Sequence, residues 1–194
     1  SVDDIFESVG ETQRKVEGAY STITIIANKG MLVFTDPNGL RPLVMGKKET
    51  PEGTHYGFAS ESTCFDYLGY ELVGDIRAGE AVFIDMNMQV HRRNCFHRKD
   101  TFCVFEYIYF AREDSIINEH LVAEMRVKMG RALATQVKAA GLDPDIIIDV
   151  PSSAYFFASG LSEALGVPYR RGFAKNNHIG RSFISPTQSE REKV

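Results

Sequence analysis

DIIIDVPSSAYFF, residues 145–157, is the stretch on which the fold of this chain turns. Its first part is an uninterrupted β-branched run, which predicts a strand covered on both faces. Its second part is a Pro-Ser-Ser turn leading into a helix over residues 154–165, closed by Gly166. VPYRRGF, residues 167–173, then reads as a second strand. Strand, helix and strand in that order form a βαβ unit, so a parallel sheet is expected to begin here. In open parallel sheets the ligand lies beyond the carboxyl ends of the strands. Pro151-Ser152-Ser153 occupies that place, where backbone N–H groups and a helix dipole suit a phosphate or pyrophosphate. A hydroxyl of Ser152 or Ser153 can add a ligand to magnesium; the same hydroxyls can instead cap the helix. Asp149, at the end of the strand, has either a functional role or an N–H to accept.

Upstream of this unit the pattern changes. EHLVAEMRVKMGRALATQVKAAG, residues 119–141, reads as a helix with Leu121, Met125, Met129 and Leu133 on one stripe and Gly141 as its stop. CVFEYIYFA, residues 103–111, reads as a strand, and the polar, basic NCFHRKDT before it as a connection. Before that, Ile5, Phe6, Val9 and Val16 recur at helical spacing. Hairpins follow. YSTITIIAN and MLVFT flank Asn28-Lys29-Gly30, and Asp36-Pro37-Asn38-Gly39 makes a tight turn into another strand. THYGFAS reads as a strand, ESTCFDYLG as a short helix ended by Gly69, and GEAVFIDM with QVHRR as a last hairpin. The expected class is therefore antiparallel α+β followed by α/β.

Composition sets outer bounds. A chain of 194 residues with 43% hydrophobic and 25% charged content can bury a sizeable core. A net charge of −4 gives no basic field for nucleic acid or an anionic membrane. The longest apolar runs are too short to span a bilayer, and no signal segment opens the chain. Cys64, Cys95 and Cys103 lack CxxC spacing, which fits a reducing cytoplasm. In the closing segment Lys175 and Arg181 are candidate anion contacts and His178 a titratable group. Asp36 and Glu61 sit beside turns, as caps and turn formers do.

GAYS, DPNGLRPLVMG, ASES, GEAVFI, CVFEYIYFAREDS and KNNHIGRSFISPTQ stand in this order across nearly the whole chain. Together they resemble the amidophosphoribosyltransferase family. The first half is also similar to the glutaminase domains of other glutamine-dependent synthetases; the second half is similar to this family alone. The resemblance implies residues 1–97 as the back half of an N-terminal-nucleophile (αββα) glutaminase domain. Residues 98–194 become the front of a type I phosphoribosyltransferase domain. It implies transfer of glutamine-derived ammonia to phosphoribosyl pyrophosphate, with magnesium as cofactor. Purine nucleotides are implied as feedback inhibitors, and a homo-oligomer as the assembled state.

Residue by residue, Ser153 matches the family's hydroxyl-bearing magnesium position, and Pro151-Ser152-Ser153-Ala154 resembles its pyrophosphate loop. Lys175, Asn176, Gly180 and Arg181 match the loop that closes over phosphoribosyl pyrophosphate. Tyr109 matches a tyrosine near the phosphoribosyl site and the ammonia path. Cys103 matches the first iron–sulfur ligand of members that carry a [4Fe-4S] cluster; other members keep a cysteine there without one. Asn177-His178 and Ser182 depart from the Arg-Tyr and Thr usual in that loop. No Cys heads the chain, the family's glutamine-binding segments before GAYS are absent, and so is its acidic Asp-Asp phosphate motif, expected well after Val194. The expectation is an internal fragment, inactive alone in both half-reactions. Two other readings compete: a non-catalytic nucleotide-sensing module, and a synthetase sharing only the glutaminase half.

Overall fold

Ser1 caps α1 (Val2–Lys15) through a reciprocal capping box with Asp4, and the helix ends at Val16 in an extended conformation. Its buried face is Ile5, Phe6, Val9, Gly10 and Gln13, whereas Val16, expected on that stripe, is 44% exposed as the cap residue. The helix covers one side of an antiparallel sheet of β1 (Ser21–Ile26), β2 (Gly30–Thr35), β6 (Glu80–Asp85) and β7 (Val90–Asn94), ordered β1-β2-β6-β7. Alternation along the two central strands builds both cores. Leu32, Phe34, Ala81 and Phe83 meet α1, while Val33, Val82 and Ile84 face the other way, onto Leu43, Met45 and Ile76.

That second core belongs to a three-stranded antiparallel sheet ordered β4-β3-β5, made of β3 (Val44–Thr50), β4 (Gly53–Ala59) and β5 (Glu71–Asp75). Phe65 of α2 (Thr63–Leu68) lies over the paired Gly46 and Gly57, where a Cβ on Gly46 would come within 2.9 Å of its ring. The strand β5 was not expected, because its five residues follow closely on Gly69, include Gly74 and carry no long apolar run. Layering of helix, sheet and sheet arises here from the alternating strands alone.

The structure, a computed structural model, describes residues 1–175 and 186–192. They fall into two compact units, Ser1–Met125 and Arg126–Val194. No described helix is long and apolar enough to cross a membrane. Within the first unit, residues 98–103 run beside the tight turn: the N–H groups of Arg98, Thr101 and Cys103 donate to the carbonyls of Pro37, Asn38 and Leu40. Asp36 is fully buried and its carboxylate accepts from the N–H groups of Asn38 and Leu40, which fixes the turn.

CVFEYIYFA is not a strand. Residues Glu106–Phe110 form a π-helical turn, with the Ala111 N–H donating to the Glu106 carbonyl at 2.9 Å. The adjacent Glu106 and Tyr107 are both buried, a pattern that strand alternation forbids on one face. Their polar tips decide it: Glu106 meets Arg41, and the Tyr107 hydroxyl donates to the Ile117 carbonyl at 2.8 Å. A small hairpin, β8 (Ile116–Ile117) with β9 (His120–Leu121), follows through Asn118 and Glu119, both at positive φ. Leu121 therefore precedes α3 (Val122–Ala139) instead of opening its stripe. The buried positions of α3 are Val122, Arg126, Gly130 and Ala134, and Leu133 is 42% exposed.

In the second unit, α3 crosses α4 (Tyr155–Leu165) through two glycines. A Cβ on Gly160 would sit 2.1 Å from the Val127 carbonyl oxygen, and one on Gly130 would sit 2.0 Å from that of Phe157. Arg131 binds Glu163 alongside. The expected parallel pairing is present in its smallest form, one bridge between Ile147 and Tyr169. The two-sided burial of DIIIDV is not: Ile147 and Asp149 are buried, while Ile146, Ile148 and Val150 are 48%, 43% and 68% exposed. A run of β-branched residues reports strand preference; which faces are covered depends on neighbours it does not encode.

The helix crossing makes a direct prediction. Gly160→Ala should destabilise the chain by about 1–3 kcal/mol, the usual cost of forcing a methyl into a packed contact. Urea unfolding checks it, and an unchanged midpoint would contradict the close approach.

Candidate functional site

One parallel bridge, Ile147 with Tyr169, aligns the ends of two segments in the second unit, and a cavity of about 650 Å³ lies beside it.

 Another cavity, of about 690 Å³, lies in the first unit around Asp75, Arg77 and Arg92.

Ile147 and Tyr169 hold the two segments in register: the Ile147 N–H donates to the Pro168 carbonyl at 3.0 Å, and the Arg170 N–H to the Ile147 carbonyl at 2.9 Å. Two residues on, Asp149 is 9% exposed and its Oδ1 accepts the Tyr169 hydroxyl at 2.8 Å. The cavity opens past this pair and is lined by Asp149, Ser152, Tyr155, Tyr169, Arg171 and Lys175, among others. Tyr155 stands edge-on to Tyr169, with ring centroids 5.6 Å apart. One buried carboxylate, one hydroxyl, two phenols and two cations thus share one opening.

The serines divide. Ser152 is exposed and lines the cavity, whereas Ser153 is partly buried and outside its lining. Neither caps α4, whose N-cap is Ala154 without a side-chain hydrogen bond, so the capping alternative does not describe this helix. The Pro151–Ser152 peptide is cis. Lys175 lines the cavity; Asn176, Gly180 and Arg181, with Asn177, His178 and Ser182, lie outside the described residues. Tyr169 and Arg171 were not singled out from sequence. Their signal was present in VPYRRGF, as the residues at the end of the second strand of the βαβ unit.

Tyr109 and Cys103 belong to the first unit. Tyr109 is 50% exposed on the π-helical turn, against Phe110. That turn is pinned by the ASES motif. Glu61 Oε2 accepts the Arg112 N–H at 2.9 Å and the Ser115 hydroxyl at 2.6 Å, and Ser62 Oγ accepts the Ile116 N–H at 2.8 Å. Cys103 is a free, half-buried thiol. Among the described residues no three His, Cys, Asp or Glu side chains gather into a metal-holding group.

The hydrogen bond to Asp149 holds the Tyr169 hydroxyl above its ordinary value of 10.0, with burial adding to the effect. The folded chain therefore keeps this proton more tightly than the unfolded one. Its stabilising contribution is complete below pH 10.0 and is lost as pH rises through the raised value. The deficit of Tyr169→Phe relative to the parent chain should be constant from neutral pH to about pH 9 and shrink above pH 10.0. Urea unfolding across that range checks it; a deficit that grows with alkalinity would contradict the assignment.

No protein-family model matches the chain. Curated relatives do. It is 41% identical to the amidophosphoribosyltransferase of Pasteurella multocida over 192 residues, 97% of this chain and 38% of that protein. The Escherichia coli protein of the same name is 41% identical over 98% of this chain and 39% of its own length, and the Schizosaccharomyces pombe one 41% over the same shares. Among solved structures, the glutamine phosphoribosylpyrophosphate amidotransferase of B. subtilis complexed with ADP and GMP superposes with a TM-score of 0.77 at 33% identity, covering 95% of this chain and 39% of that one. The chain thus spans somewhat more than a third of the length of the relatives it matches. In sequence and in fold alike, residues 1–194 match a part of the amidophosphoribosyltransferase family.

Proposed function

We propose that this chain serves an amidophosphoribosyltransferase, which moves glutamine-derived ammonia onto phosphoribosyl pyrophosphate to give 5-phosphoribosylamine, glutamate and pyrophosphate. Residues 1–97 act as part of the glutaminase domain and residues 98–194 as part of the type I phosphoribosyltransferase domain. The observation that carries the transferase reading is the cavity shared by Ser152, Arg171 and Lys175 at the N-terminal side of α4. Two cations and a helix N-terminus suit a diphosphate. Ser152 and Asp149 are hard oxygen donors on the same cavity, which fits a magnesium ion held jointly with phosphate oxygens. Magnesium supplies neutralisation of the charge that develops on departing pyrophosphate.

The chain's own residues do the rest. Arg171 and Lys175 draw the diphosphate in and hold it, Arg as a planar fork and Lys as a point charge. Ser152 orients it with its hydroxyl, and Tyr169 keeps Asp149 fixed at the cavity wall. Ser153 remains the residue matched to the family's magnesium position, and Asn176, Gly180 and Arg181 those matched to its closing loop. Tyr109 is assigned to the phosphoribosyl site and the ammonia path on the same ground. The B. subtilis relative complexed with ADP and GMP supports purine nucleotides as regulators; a homo-oligomer is the assembly proposed.

Calorimetric titration with pyrophosphate and magnesium tests the cavity. Arg171→Gln and Lys175→Gln should each weaken binding about tenfold, the loss expected for one charge-assisted contact. Binding indifferent to both substitutions, or none in the parent chain, would overturn the reading.

A further inference from the structure

Two phenols line the cavity beside the parallel bridge, and their hydroxyls are used differently. Tyr169 donates its proton to Asp149 Oδ1 at 2.8 Å, so its one donor is spent inside the protein. Tyr155 is 46% exposed, and its hydroxyl has no hydrogen-bond partner among the described residues. Its ring is nevertheless held. Tyr169 meets it edge-on, with centroids 5.6 Å apart at 78°, and Phe156 does so at 5.0 Å and 73°. Edge-to-face contacts of this kind are the favoured arrangement of aromatic pairs. Tyr155 is also the first residue of α4, at the end of the helix where the dipole favours an anion. A fixed ring thus carries an unspent O–H donor on the cavity that Arg171 and Lys175 line.

We infer that Tyr155 is a further binding residue for the diphosphate, its O–H donating to a phosphate oxygen held by Arg171 and Lys175. The inference rests on the function proposed above and adds a residue to it. A hydrogen bond from a neutral donor to an anionic oxygen is roughly twice as strong as one between neutral groups. Ring packing against Tyr169 and Phe156 would be served equally well by a phenylalanine at this position. The hydroxyl is the part of the side chain that packing leaves without a use, and an anion in the cavity supplies its acceptor.

Calorimetric titration with pyrophosphate and magnesium compares the parent chain with Tyr155→Phe, which keeps the ring and removes only the O–H. About tenfold weaker binding is expected, the loss usual for one hydrogen bond to a charged acceptor, with the urea midpoint unchanged. A second readout needs no variant: in the tyrosine-labelled parent chain, the ring carbon bearing the Tyr155 hydroxyl should shift saturably as pyrophosphate is added. Unchanged affinity in Tyr155→Phe, or a Tyr155 resonance that stays fixed at saturating pyrophosphate, would overturn the inference. Weakened binding in Arg171→Gln alongside either result would leave the proposed function standing, whereas no binding in the parent chain would overturn both.

Discussion

The pairing of Ile147 with Tyr169 is the constraint on which the second unit's chemistry depends. One parallel bridge sets the register of two segments separated by α4. From that register follow the Tyr169–Asp149 hydrogen bond and the cavity beyond it. The glycine crossing of α3 and α4 lets the intervening helix lie close enough to its neighbour for the connection to be short. Backbone hydrogen bonds thus place a carboxylate, a hydroxyl and two cations where no local sequence pattern would gather them.

The first unit depends on a different device. Two alternating strands, β2 and β6, bury both faces and so hold a helix on one side and a second sheet on the other. Onto this frame Glu61 and Ser62 fasten residues 112–116, and Arg41 meets Glu106. The motifs ASES, DPNGLRPL and FEYIYFAREDS, far apart in sequence, are thereby parts of one polar fastening around the π-helical turn.

What sequence made legible was whatever local chemistry decides. The hairpin turns, the glycine stops at Gly69, Gly141 and Gly166, and the α1 face around Ile5, Phe6 and Val9 could be read because each rests on a residue's own conformational or apolar preference. What escaped was decided by distant partners. The π-helical turn replaces a strand because Arg41 and the Ile117 carbonyl reward the burial of neighbouring polar tips. At the candidate site, Ser152 and Lys175 were legible from motif and charge, whereas Tyr169 and Arg171 gained meaning only once the bridge set their register.

The most direct test of the central claim is a map of where phosphoribosyl pyrophosphate with magnesium perturbs the amides of the 15N-labelled chain. The account predicts shifts concentrated in residues 149–155 and 169–175. Shifts confined to the first unit, or none at saturating ligand, would contradict it.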